Sequence, residues 1–102
     1  MQTVPRKRIE VLADAPLVPA IIAALSRAGI NGHSVLPVLG GGGRSGSWSE
    51  ERLTGAETKQ LVWAIASEEH AREFVDAVGP LLDSHRLLLT IADVAVVRGE
   101  RF

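Results

Sequence analysis

The order of elements along the chain, β-α-β-β-α-β, predicts an α+β fold of the ferredoxin-like kind: an antiparallel sheet and two helices in one domain, residues 1–102. Apolar and charged residues alternate in the first run, and apolar residues crowd into three later short ones. Two longer segments carry apolar residues at helical spacing. A polar, glycine-rich stretch divides the chain into halves that each read strand-helix-strand.

Arg8 to Leu12 alternates (Arg8, Ile9, Glu10, Val11), the period of a half-buried strand. Asp14, Ala15 and Pro16 turn the chain. Leu17, Ile21, Leu25 and Ala28 then recur on one helical face, widened by Val18 and Ile22. Pro19 fits the first helical turn, where its missing N–H costs nothing. Gly29 followed by Ile30 is the pattern of a helix stop. Asn31-Gly32 marks a turn, and His33 to Leu39 reads as the second strand. Pro37 cannot donate to a ladder, which assigns that strand to an edge or a bulge. Thr58 to Ala66 is the third strand, with Trp63 expected among its core residues. Ser67 is an N-cap ahead of Glu68 and Glu69, where the helix dipole favours acids. Ala71, Phe74, Val75 and Val78 should face inward, and Gly79-Pro80 should end or kink this helix. Arg86 to Val97 forms the last strand, an apolar run (Leu87-Leu88-Leu89, then Ile91, Val94, Val96, Val97) interrupted by Ala92-Asp93.

A chain of 102 residues, 46% hydrophobic and 23% charged, suits a single packed core. Its formal net charge of −1 gives no pull toward nucleic acid or an anionic membrane. The basic clusters Arg6-Lys7-Arg8 and Arg98/Arg101 read as solvated strand ends. With no cysteine there is neither a disulfide nor a thiolate metal site. No segment approaches the roughly 18 apolar residues of a membrane span, and no apolar stretch follows the basic N-terminus as in a signal peptide. The expectation is a cytoplasmic protein without direct membrane insertion.

The feature richest in chemistry is Gly40-Gly41-Gly42-Gly43-Arg44-Ser45-Gly46, which opens a polar loop of residues 40–57. Glycines at positive φ can turn several N–H groups toward one anion, and Arg44 would add a forked cation. The same composition also makes a flexible linker. A loop of this length is usually functional or disordered. The string Gly41-x-Gly43-x-x-Gly46 lacks the helix that a dinucleotide fingerprint requires, and no Gly-Lys-Ser/Thr completes a phosphate-binding P-loop. Trp48 in this loop either folds back on its own domain or anchors a protein partner. His33, His70 and His85 show no ligand spacing and read as polar surface residues. No serine sits in a nucleophile motif, so neither a catalytic residue nor a metal site is expected.

Nearly the whole chain resembles the PII signalling superfamily. Lys7-Arg8-Ile9-Glu10-Val11 is similar to its first strand. Leu25-Ser26-Arg27-Ala28-Gly29-Ile30-Asn31-Gly32-His33-Ser34-Val35 is similar to its first helix end and second strand. Gly40 falls where the regulatory T-loop of those proteins begins, and Val94-Ala95-Val96-Val97-Arg98-Gly99-Glu100 resembles their last strand. Leu82-Asp83-Ser84-His85-Arg86 lacks their Gly-x-Gly-Lys phosphate loop, and apolar residues replace the arginine pair of their last strand. The likeness is closer to PII-like proteins linked to inorganic carbon, the regulators of bicarbonate transporters and a carboxysome-associated branch. These share a Gly-Gly-x-Gly run with a nearby arginine and a short ending such as Gly99-Glu100-Arg101-Phe102.

That resemblance implies a homotrimer that binds ADP, AMP or ATP between subunits. Gly40, Gly41, Gly42, Gly43 and Arg44 would hold phosphate, with Arg86 or Arg98 completing the cleft from a subunit edge. Ser34 would lie near the base, and bicarbonate is a possible second anion. The T-loop with Trp48 would change order with ligand and meet a bicarbonate transporter or carboxysome component. The rival is a small ferredoxin-like enzyme such as an acylphosphatase-like phosphate hydrolase. It needs an anion cradle of arginine and asparagine, which Arg6-Lys7-Arg8 and Glu10 do not supply. A trimeric metal-tolerance protein of similar topology would need the cysteines or clustered histidines that the chain lacks.

Overall fold

Strand β1 (Thr3–Asp14) is longer than the alternation between Arg8 and Leu12 predicts, because both of its edges are paired. On one side it lies antiparallel to β5 (Lys59–Ala66), with Ile9 opposite Ala64 and Val11 opposite Val62. On the other it lies antiparallel to β6 (Leu88–Val97), with Ile9 opposite Ile91 and Thr3 opposite Val97. The short strand β2 (Ser34–Pro37) joins β5 and completes a sheet of order β2-β5-β1-β6. Pro37 therefore sits on an edge strand, where its missing N–H is tolerated. These elements come from a computed structural model that describes residues 2–43, 46–49 and 58–98, with the backbone alone for residues 46–49.

A 3-10 turn (Ala15–Leu17) leads into helix α1 (Val18–Arg27), with Pro19 in its first turn. The stop is a Schellman motif. Gly29 takes φ 82°, its N–H donates to the Ser26 carbonyl at 3.0 Å, and the Ile30 N–H donates to the Leu25 carbonyl at 2.9 Å. Helix α2 (Glu68–Ser84) starts where Ser67 Oγ accepts the His70 N–H at 3.1 Å, with Glu68 and Glu69 in the first turn. Both helices cover one face of the sheet. The core joins Ile9, Val11 and Ala13 of β1 with Val62 and Ala64 of β5. Ile21 and Leu25 of α1 and Phe74 and Val78 of α2 close over them.

Two expectations are corrected. Helix α2 does not end at Gly79-Pro80 but runs on to Ser84. Pro80 removes one backbone hydrogen bond, while Leu81 and Leu82 beyond it pack on the core and keep the helix going. The expected last strand holds through the polar interruption at Ala92-Asp93, where Asp93 lies opposite Lys7 and forms an ion pair with it. Trp63 points away from the core and is 36% exposed, because it alternates with the buried Val62 and Ala64.

The sheet face turned away from the helices keeps apolar side chains. Leu12, Leu61 and Leu88 line a groove of about 310 Å3 there with Val38, Glu10 and Thr90. Arg8 and Glu10, two residues apart on this face, form an ion pair at 2.7 Å. Among the described residues no helix is long and apolar enough to cross a membrane.

Phe74 is fully buried between helix and sheet. Truncation to alanine should lower unfolding free energy by about 3–5 kcal/mol, read from urea unfolding. The Asp93 carboxylate beside Lys7 raises the amine above its ordinary 10.5, chiefly through a hydrogen bond. Asp93 is 85% exposed, so solvent screens this pair. Its small contribution is complete below pH 10.5 and fades as pH climbs past the raised value. Wild-type and Asp93→Asn melting curves should accordingly differ at neutral pH and converge in strong alkali.

Candidate ligand site

Beside the end of α1 the sheet edge is incomplete. Strand β2 pairs with β5 only from Gln60 to Trp63, Ser34 lying opposite Trp63. Past that point residues 64–66 have β1 on one side and, among the described residues, no strand on the other. The cause is local. Gly29 turns the chain out of the helix, buried Ile30 pins the turn, and residues 31–33 run as irregular backbone before pairing starts. The gap is a cavity of about 370 Å3 lined by residues 29–34, residues 63–65 and His70. That size lies at the lower end of small-molecule sites.

The walls suit a flat, polar heterocycle. Trp63 offers an aromatic surface, Ser34 a hydroxyl and Asn31 an amide, and the free edge of residues 64–65 adds backbone polar groups. The imidazole of His70 lies over Gly29: a Cβ there would stand 3.3 Å from both Cε1 and Nε2. Glycine at this position thus serves the helix stop and the close approach of His70 together. Among the described residues no Asp, Glu, Lys or Arg lines the cavity, and the ionisable side chains there are those of His33 and His70. Among the described residues there is no cluster of three or more potential metal ligands.

Of the residues singled out in the sequence, Ser34 lines this cavity. Gly40, Gly41, Gly42 and Gly43 form an extended strand, β3 (Gly40–Gly43), antiparallel to β4 (Gly46–Ser49), with Gly41 opposite Trp48. None of the four has a positive φ, so the run is a hairpin arm rather than a folded nest. A Cβ on Gly42 or Gly43 would meet nothing within 4 Å, which leaves that backbone open to an approaching group. Arg44, the Trp48 side chain and residues 50–57 lie outside the described residues. Arg86 is exposed just before β6 and Arg98 just after it, the latter in the left-handed region at φ 59°. The strand between them spans ten residues, about 30 Å at ~3.3 Å per residue. By register, Arg86 shares its end of the sheet with the start of the hairpin, and Arg98 stands at the other.

Sequence reasoning missed Trp63, His33, His70 and the double duty of Gly29. His70 follows Ser67 by one helical turn, yet nothing local tells that its ring meets a glycine forty-one positions earlier.

A model of the family described as nitrogen regulatory protein P-II matches residues 6–101. The chain belongs to the P-II family. No curated protein matches it in sequence. Its P-II fold is similar to that of CPII from Thiomonas intermedia K12, a nitrogen regulatory PII-like protein solved with ADP, AMP and bicarbonate. There the TM-score is 0.88 at 20% identity over 99% of this chain and 96% of that one. A PII-like signalling protein from Thermus thermophilus gives 0.82 at 24% identity over 100% and 99%. GlnK of B. subtilis in complex with ATP gives 0.63 at 8% identity over 92% and 85%. At these identities the likeness is one of fold, and it agrees with the ferredoxin-like α+β architecture.

Gly29→Ala places a side chain at positive φ and against the His70 ring. It should cost about 1–2 kcal/mol of stability and displace His70, read together as a lower melting temperature and a shifted imidazole NMR signal.

Proposed function

We propose that this P-II family member is a non-enzymatic, cytoplasmic regulator that binds an adenine nucleotide at the gap in its sheet edge. The observation that carries the reading is the Trp63-walled cavity at residues 29–34, a recess in the sheet edge that no charged side chain of the described residues lines. An aromatic wall, a hydroxyl and free strand-edge polar groups are what a purine ring needs from a protein. In support, CPII was solved with ADP, AMP and bicarbonate and GlnK with ATP. On this reading Ser34 lies at the base, and the open backbone of Gly40 to Gly43 with Arg44 receives the phosphates.

Arg98 stands at the opposite end of the sheet from the hairpin, so it would reach a hairpin-bound phosphate only from a neighbouring subunit, whereas Arg86 stands at the hairpin end. The apolar groove of Leu12, Leu61 and Leu88 fits burial against further copies, and a homotrimer accounts for both features. The T-loop, residues 40–57, would present Trp48 to a protein partner when ligand biases its order. A bicarbonate transporter or carboxysome component is the partner that agrees with bicarbonate, as a second ligand, and a role in carbon uptake or fixation.

Calorimetric titration with ATP, ADP and AMP, with and without bicarbonate, tests the reading. Micromolar affinity for at least one nucleotide is expected, and Arg44→Ala should weaken it by about tenfold or more. Wild-type affinity in that variant would remove Arg44 from the site, and no binding by the wild type would remove the function.

A further inference from the structure

We infer that Arg8 and Glu10 fix the register in which copies of this chain associate, Arg8 of one copy pairing with Glu10 of the next. This pairing rests on the homotrimer reading above and makes that association selective.

On the sheet face turned away from the helices, cross-strand register builds a row of four leucines. Leu36 lies opposite Leu61, Leu61 opposite Leu12 and Leu12 opposite Leu88, one from each strand of the sheet. Glu10 and Arg8 follow Leu12 on the same face of the central strand. Their cross-strand neighbours carry no charge: Ile65 and Ala92 flank Arg8, and Trp63 and Thr90 flank Glu10. Among the described residues Glu10 is also the one charged side chain that lines the leucine groove. The other charges that the strands place on this face lie toward its ends. Arg6 stands beyond the end of β5, opposite Val94, and Asp14 is paired with Lys59 at 2.7 Å.

Association that covers the leucines also covers the Arg8–Glu10 pair and takes it out of water. Burying an ion pair is costly unless its new surroundings replace the hydrogen bonds that water supplied. Much remains to be replaced here. The two side chains touch at 2.7 Å and are 40% and 30% exposed, and among the described residues neither has a second partner. A guanidinium carries five N–H donors and a carboxylate two acceptor oxygens, so one contact leaves most of them to be met. A covering surface therefore needs a carboxylate near Arg8 and a cation near Glu10. A second copy of this face supplies both, because it carries the same two residues.

Rotational symmetry repeats that contact at every interface, so a closed ring of copies alternates Arg8 and Glu10 with no charge left over. Shifted registers set like charge against like, or a charge against leucine, and such juxtapositions are suppressed. The leucines supply attraction without direction. The ion pair supplies the direction.

The test exchanges the two residues. Arg8→Glu combined with Glu10→Arg keeps an ion pair within the chain and reverses both halves of the contact together. The exchanged chain should therefore associate with itself as wild type does. Against a wild-type copy it sets like charges together at each contact. Exchanged and tagged wild-type chains are coexpressed, and native mass spectrometry counts the mixed trimers. These should be at least roughly tenfold rarer than free mixing gives. Mixed trimers at the free-mixing share would overturn the inference and leave the homotrimer reading intact. Wild type that stays monomeric at every concentration would remove both. Because an exchange on the central strand can impair folding, Arg8→Glu and Glu10→Arg are also made separately. Each should self-associate at least roughly tenfold more weakly than wild type in sedimentation, and combining the two should bring association back. Combination does not restore a pair confined within one chain. A mixture that associates no more tightly than either variant alone would thus overturn the inference.

Discussion

Everything else in this molecule depends on β1 being paired along both edges. A strand held on two sides fixes the register of β5 and β6. That register aligns Ile9, Val11 and Ala13 with Val62 and Ala64 on a single face for the two helices to cover. The helices are used up on that face. Period-2 alternation then necessarily delivers Leu12, Leu61 and Trp63 to the other, where no described helix covers them. The half-exposed apolar groove is thus the geometrical remainder of a well-formed core, and it is the face that the proposed association of copies would cover.

The site follows from a second, smaller constraint. Helix α1 must stop and reverse before β2 can join the sheet, and the Gly29-Ile30 stop spends several residues on that reversal. β2 therefore enters late, at Ser34, and residues 64–66 of β5 are left with one side open. The recess between them collects side chains from three separate parts of the chain.

What could be read from the sequence was what short-range rules govern. Alternation from Arg8 to Leu12 located the central strand, Gly29-Ile30 the helix stop, Ser67 the start of α2, and Pro37 the edge strand. What could not be read depended on partners far along the chain. Pro80 looks like a terminator until Leu81 and Leu82 are seen packing on the core. Glycines carry no side-chain pattern, so nothing in Gly40 to Gly43 announced a strand whose pairing with β4 is made by backbone alone. The likeness of residues 25–35 to PII proteins marked one wall of the cavity. The other wall, Trp63 and His70, is assembled by strand register and helix docking, neither of which is written in local spacing.

An incomplete sheet edge carries a hazard as well as a use, since unpaired strand backbone is a template for intermolecular β-aggregation. On β5 the opening left by β2 spans residues 64–66, about 10 Å of strand at ~3.3 Å per residue. Beyond it, β2 caps the edge and carries Pro37, a residue that cannot extend a ladder. Three residues stand at the lower bound of strand length, so the gap offers a neighbouring chain few backbone hydrogen bonds.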